Sequence, residues 1–310
     1  MLRARRMNLP LAPKAENTHR AGAVAIVGRP NVGKSTLLNR LVGTKVSITS
    51  AKAQTTRQRV TGIVTRPAGQ IAFIDTPGYQ TVYQSTLNRA MNRSVTTSVH
   101  EAHAIVWLVE ALKYDERDEA VARLLPQGVP VILAVNKIDT LKDKGQLLPF
   151  IWKLSRQRAF EAIIPVSAAK GTQLDDLFDT MLALMPEGPP LYEADDITTA
   201  NERFLAAEAL REKLFRLLGD ELPYTTTVEI DRFQEEGALR RIHASITVDK
   251  EGQKPIVIGH QGKKLKTIAS AARRDMEQLF GGKVFLEVRV RVRRGWADNA
   301  AALKRMGFDS

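Results

Sequence analysis

The chain of 310 residues is long enough for about two domains, its 44 % apolar content supports packed cores, and no apolar run reaches the roughly 18 residues of a membrane-spanning helix. It contains no Cys, which excludes disulfides, thiolate metal sites and Cys nucleophiles and suits a reducing, cytoplasmic setting. A formal net charge of +12 and a pI near 9.9 point to a polyanionic partner, either nucleic acid or an acidic membrane face.

In chain order, residues 1–19 open Met-Leu-Arg-Ala-Arg-Arg-Met-Asn, lack the apolar core of a signal peptide and are expected to form a flexible basic tail. Residues 20–186 alternate strands and helices. Apolar runs at 21–27, 71–74, 104–109, 131–135 and 163–166 are nearly continuous, as in strands covered on both faces, so an α/β domain with a mostly parallel sheet is expected. Leu174, Leu177, Phe178, Met181, Leu182 and Met185 follow at helical spacing and close this unit. Residues 187–199, rich in Pro and Gly at their start, read as a linker.

Residues 200–310 have a different rhythm. A helix over 200–218 is predicted to present Phe204, Ala207, Leu210, Leu214 and Leu217 on one face, stopped by Gly219 and Pro223. Strands are predicted around 226–230 and 242–248. A strand over Ile256–Ile258 then leads into a glycine loop, followed by a helix to about Phe280 and a last strand over 284–293. In that last strand Leu286, Val288, Val290 and Val292 alternate with Glu287, Arg289, Arg291 and Arg293. The order is that of an α+β domain.

Four motifs carry chemistry. Gly28-Arg29-Pro30-Asn31-Val32-Gly33-Lys34-Ser35, followed by Thr36, fits G-x-x-x-x-G-K-[ST] between a strand and a helix. In that context backbone N–H groups and the helix dipole cradle phosphates, Lys34 reaches the β- and γ-phosphates, and the Ser35 hydroxyl ligates Mg²⁺. Asp75-Thr76-Pro77-Gly78 ends the run 71–74. The Asp75 carboxylate points into the crevice to hold Mg²⁺ through water, and Gly78 lets its N–H approach the γ-phosphate. Asn136-Lys137-Ile138-Asp139 ends the run 131–135. Asp139 can accept both the N1–H and the N2 amino group of guanine, a pairing adenine cannot make. Lys137 would lay its stem on the purine face and Asn136 would tie the segment to the phosphate loop. Ser167-Ala168-Ala169 follows the last run, where the N–H of Ala168 is expected to donate to guanine O6.

On these residues the chain resembles the translation-factor-related GTPase superfamily and, within it, the Era family of bacterial ribosome-assembly GTPases, over roughly residues 20–300. The resemblance implies that Gln54-Thr55-Thr56-Arg57 is the mobile effector loop, in which Thr56 or Thr55 closes onto Mg²⁺ when a γ-phosphate is present. It also implies an apolar residue in place of the hydrolytic Gln that many GTPases carry just after D-x-x-G. Tyr79 stands there, with Gln80 one residue on, so no side-chain base is assigned. Slow intrinsic hydrolysis is expected, with Lys34 stabilising charge. In related GTPases an Asn at position 31 helps hold K⁺ against the phosphates; holding K⁺ and capping the loop both stay open for Asn31.

Gly259-His260-Gln261-Gly262 matches the G-x-x-G loop of KH domains, with Lys263, Lys264 and Lys266 behind it, and the element order is similar to the type II KH arrangement. Gln261 departs from the basic residue often found there. Fourteen Lys or Arg against five acids lie between Arg240 and Arg294, which places most of the chain's excess charge on this domain; Arg289 and Arg291 join the expected RNA-binding set. The family resemblance implies single-stranded RNA at the 3′ end of 16S ribosomal RNA, the 30S subunit as partner, and peripheral association with the inner membrane. A monomer is expected.

Overall fold

The computed structural model describes residues 19–50, 52, 54–81, 85–219 and 222–308. The basic tail expected over 1–19 therefore lies outside the described residues except for His19. The first unit runs β1 (Arg20–Val27), α1 (Lys34–Val42), β2 (Val60–Arg66), β3 (Gly69–Asp75), α2 (Thr86–Glu101), β4 (Ala104–Glu110), α3 (Glu116–Leu124), β5 (Val131–Asn136), α4 (Leu147–Ser155), β6 (Ala162–Pro165) and α5 (Leu174–Ala183). The strands form one sheet in the order β2-β3-β1-β4-β5-β6, parallel throughout except for the antiparallel β2–β3 pair.

Alternation along β1 explains the continuous apolar runs. Val24 and Ile26 pack with α1 and α5 residues such as Leu37, Leu38, Leu177 and Phe178. Ala25 and Val27 pack on the opposite face with Val95, Val99 and Val121 of α2 and α3. With both faces covered, neither can be polar. The chain leaves β1 toward β3 on one side and β4 on the other, and the phosphate loop opens at this switch in strand order.

The second unit contains α6 (Glu202–Leu217), β7 (Thr226–Glu236), β8 (Leu239–Val248), α7 (Gln253–Ile258), α8 (Lys263–Phe280), β9 (Lys283–Val292) and α9 (Ala300–Arg305). β7 pairs antiparallel and β9 parallel with the central β8. Leu210 and Leu214 of α6 and Ile268, Ala272 and Met276 of α8 bury one face of this sheet.

Two sequence expectations are corrected. Ile256–Ile258 is the end of helix α7, not a strand. A short apolar run does not distinguish the two, and Pro255 is tolerated because it sits in the helix's first turn. Helix α6 is also buried on more than one face: Leu217 is 41 % exposed, whereas Arg211, Glu212 and Lys213 are buried. The charged flank of α6 packs on the first unit, with Glu212 accepting from Lys45 and from the Thr49 amide.

Residues 187–199 run along the sheet edge. Gln70 holds the amides of Leu191 and Tyr192, and Ile63 N–H donates to Ile197 O. The C-terminal segment returns to the first unit, where Trp296, Leu303 and Phe308 pack with Leu87, Ala90 and Met91 of α2. Among the described residues no helix is long and apolar enough to cross a membrane.

Candidate nucleotide site and RNA-facing loop

Gly33 caps α1 with a left-handed backbone, φ +106°, and an added Cβ would lie 2.4 Å from Asn136 Nδ2. Only Gly satisfies both the angle and the approach. Asn136 fixes the loop by donating to Val32 O at 2.8 Å, the tie expected from the sequence. Lys34 is buried, and its ammonium braces the loop by donating to Gly28 O at 2.9 Å and Arg29 O at 3.1 Å. A cavity of about 300 Å³ opens over this loop, lined by Pro30, Asn31, Gly33, Lys34, Ser35 and Thr36 from the loop and by Gln54, Thr55, Thr56, Gly78 and Lys137 around it. Not every residue of the motif faces it. Val32 is in the apolar core, and Thr76 donates to Ile26 O. The Arg29 side chain turns away to Asp118 and Glu110, so Arg29 can offer a phosphate only its backbone.

At one wall three hydroxyls meet one carboxylate. Ser35 Oγ donates to Asp75 Oδ2 at 2.7 Å, Ser47 Oγ donates to the same oxygen at 2.8 Å, and Thr56 Oγ1 lies 3.3 Å from it and 2.7 Å from Ser35 Oγ. Asp75 Oδ1 is buried without a hydrogen-bond partner. Burial pushes the Asp75 carboxyl above its usual range, against Lys34 and these hydroxyls. An all-oxygen set around one carboxylate with an orphaned oxygen fits a hard divalent cation such as Mg²⁺. Of the two threonines, Thr56 joins this set; the Thr55 hydroxyl donates to Lys52 O instead. Ser47 was not legible in any motif, since it arrives from the loop after α1, held where Asn39 Oδ1 accepts the amides of Val46 and Ser47.

Burial is the main reason the Lys34 ammonium sits at about pKa 8 rather than 10.5; Asp75 opposes the shift and Arg29 adds to it. Because the folded value lies below the unfolded one, Lys34 lets the free protein gain stability as pH rises from about 8 to 10.5. A bound phosphate would raise that pKa again. Nucleotide affinity is therefore expected to hold below about pH 8 and to fall above it, with proton uptake on binding in that range. Titration calorimetry in buffers of different ionisation heat measures this, and an affinity constant up to about pH 9.5 contradicts it.

At the other end, Asp139 Oδ1 accepts from Ser167 Oγ at 2.6 Å, and Lys137 Nζ pairs with Glu110 Oε2 at 2.7 Å. The Ala168 N–H, expected to donate to a base, donates here to Asn136 Oδ1 at 3.0 Å. Tyr79 packs against the apolar cluster on the α2–α4 face of the sheet, and Gln80 is buried with its amide on Asn88 Oδ1. Neither side chain lines the cavity.

In the second unit the backbone is left-handed at Gly259, Gln261 and Gly262, and His260, Gln261, Lys263 and Lys266 are exposed at the N-terminal end of α8. Lys264 is half-buried, and Ile256 stands 47 % exposed beside the loop. The structure does not bring Arg289 and Arg291 to this loop. They alternate with Val288 and Val290, which pack toward the helices, so they project from the opposite face of the sheet. There Arg291 pairs with Asp231 at 2.6 Å and Glu229 at 3.5 Å.

Residues 23–137 match the family of 50S ribosome-binding GTPases and residues 221–297 the KH domain family. Fold and site thus define a P-loop GTPase domain joined to a KH domain. The chain is 54 % identical over 291 residues to GTPase Era of Nitrosomonas eutropha, spanning 94 % of this chain and 98 % of that one. It is 54 % identical over 288 residues to GTPase Era of Chromobacterium violaceum, spanning 93 % and 97 %. It superimposes with TM-score 0.91 and 39 % identity on Era in complex with MgGDPNP and nucleotides 1506–1542 of 16S ribosomal RNA, over 94 % of this chain and all of that one. The protein belongs to the Era family of GTPases.

Proposed function

We propose that this GTPase binds GTP with Mg²⁺ held by Ser35, Thr56 and Asp75, hydrolyses it slowly, and uses its KH loop to bind the 3′ end of 16S ribosomal RNA during 30S maturation. The convergence of Ser35, Ser47 and Thr56 on Asp75 carries the nucleotide half of this reading. The bound Mg²⁺ would neutralise charge on the transferring phosphoryl group. Lys34 and the loop amides hold the phosphates, Asp139 and Lys137 hold guanine, and Thr56, already beside Ser35 and Asp75, would be held there by Mg²⁺ and a γ-phosphate and keep the effector segment at the site. With Tyr79 packed away and Gln80 tied to Asn88, water is oriented by backbone groups or by a partner. The relative solved with MgGDPNP and 16S ribosomal RNA supports the pairing of the two ligands.

The RNA half rests on the exposed loop His260-Gln261 at the start of α8. The double substitution H260D/Q261D places two carboxylates where the nucleic-acid backbone would pass. It is expected to weaken binding of a 16S 3′-end oligonucleotide by ~10-fold or more while GTP turnover persists, because phosphate approach is opposed by charge. Unchanged RNA affinity, measured by fluorescence anisotropy at fixed salt, contradicts the assignment.

Asn31, exposed and at the cavity, is proposed to hold K⁺ against the phosphates. GTP turnover is then faster in K⁺ than in Na⁺, and Asn31→Ala removes the difference. Equal rates in the two salts exclude the role.

A further inference from the structure

Arg57 follows Thr56 directly, and the two side chains go to different domains. Thr56 Oγ1 reaches Ser35 and Asp75. The Arg57 guanidinium is carried into the second unit, where Nη1 donates to Thr226 O at 2.8 Å and Nη2 to Tyr224 O at 3.4 Å. Its Cζ stands 5.6 Å from the ring centroids of both Phe215 and Trp296. The residue is only 3 % exposed. Trp296 is itself anchored, its indole N–H donating to Thr225 O at 3.0 Å. A planar cation gripping two carbonyls beside two aromatic rings is an arrangement Lys cannot reproduce. On the far side of Thr56, Lys52 Nζ donates to Leu218 O at 2.6 Å, so the effector segment is fastened to the second unit at both ends.

We propose that Arg57 is a positioning residue: through it the KH domain holds Thr56 against Ser35 and Asp75, so that the triphosphate-specific closure of the effector segment depends on how the KH domain is seated. Burial, with Arg211 nearby, draws the Arg57 guanidinium down to about 9, so it remains a cation at neutral pH. By reciprocity, whatever loosens the KH domain weakens GTP closure, and GTP closure steadies the KH domain. This rests on the assignment of Thr56 to the Mg²⁺ site.

The test measures GDP and GDPNP affinity, both with Mg²⁺, in the full chain for Thr56→Ala, Arg57→Gln, Arg57→Lys and T56A/R57Q. Arg57→Gln is expected to weaken GDPNP by ~10-fold while GDP binding is kept, the scale seen when a residue supporting a metal ligand is removed. Arg57→Lys is expected to restore only part of that loss. The double variant is expected to be no worse than Thr56→Ala alone, because both changes remove one device. Equal losses for GDP and GDPNP, full recovery by Lys, or additive losses in the double variant overturn the inference. If Thr56→Ala leaves GDPNP affinity intact, the Mg²⁺ assignment itself falls, and the inference with it. Retained GDP affinity also reports that each variant is folded.

Discussion

Lys34→Ala is expected to abolish measurable GTP and GDP binding while leaving the free protein no less stable. The buried ammonium crosses the loop to Gly28 O and Arg29 O and stands at the N-terminus of α1, facing the cavity. Replacing it removes a cation that would make charge-assisted hydrogen bonds to phosphate, each about 1.5–3 kcal/mol. It also removes the brace that keeps the loop carbonyls turned inward. Two such bonds amount to about 3–6 kcal/mol, or about 10²-fold to 10⁴-fold in affinity. Stability does not follow. Burial already disfavours the charged form in the empty site, lowering its pKa to about 8, so the desolvation cost that Ala relieves offsets the hydrogen bonds to Gly28 O and Arg29 O that it removes. Calorimetric titration with GDP and thermal melting of the free protein should diverge: binding lost, melting temperature held or raised. GDP affinity within a few-fold of the unsubstituted chain overturns this role for Lys34.

The first domain was legible where local pattern and tertiary burial coincide. Strands β1, β3, β4 and β5 are buried along almost their whole length, so their sequences can be little else than apolar. β2 is an edge strand with Thr61, Gly62 and Thr65 among its residues, and no apolar run announces it. Ser35 and Asp75 were readable because the one closes and the other opens a motif with a fixed mechanical context. Ser47 donates to the same carboxylate, yet lies in a loop whose course is set by Asn39, and nothing in its spacing records that contact.

The basic strand shows the opposite error. Counting Arg289, Arg291 and Arg293 along the chain cannot see the acids that register brings across the sheet. Glu229 and Asp231 of β7 take up part of that charge, leaving Lys263 and Lys266, exposed beside the glycine loop, as the stronger candidate RNA surface. The KH loop itself was visible, but its approach through helix α7 was not, because Ile256-Val257-Ile258 has the composition of a strand and becomes a helix only by docking Val257 into the core beneath it.

Asp139→Asn is expected to exchange guanine for xanthine. In the unsubstituted chain both carboxylate oxygens can accept, one from guanine N1–H and one from the N2 amino group. The orientation of the replacement is decided by its neighbour. Ser167 Oγ accepts the Lys170 amide at 3.1 Å, so its proton is left for Asp139 Oδ1 at 2.6 Å. An Asn at this position therefore keeps its carbonyl oxygen toward Ser167 and puts its NH₂ where Oδ2 stood. That NH₂ meets a guanine donor: one charge-assisted hydrogen bond is lost and two donors are opposed. A mismatched polar pair of this kind costs about 3–4 kcal/mol once the base covers it, or about 10²-fold to 10³-fold in GTP affinity. Xanthine carries a carbonyl in place of the amino group and retains N1–H, so it pairs with the new NH₂ and carbonyl and recovers much of that loss. Competition between GTP and XTP for a fluorescent guanine nucleotide measures the exchange directly. If the variant still prefers GTP, Asp139 does not read the base. If it binds neither base while keeping its melting temperature, the tether through Ser167 does not fix the amide as argued.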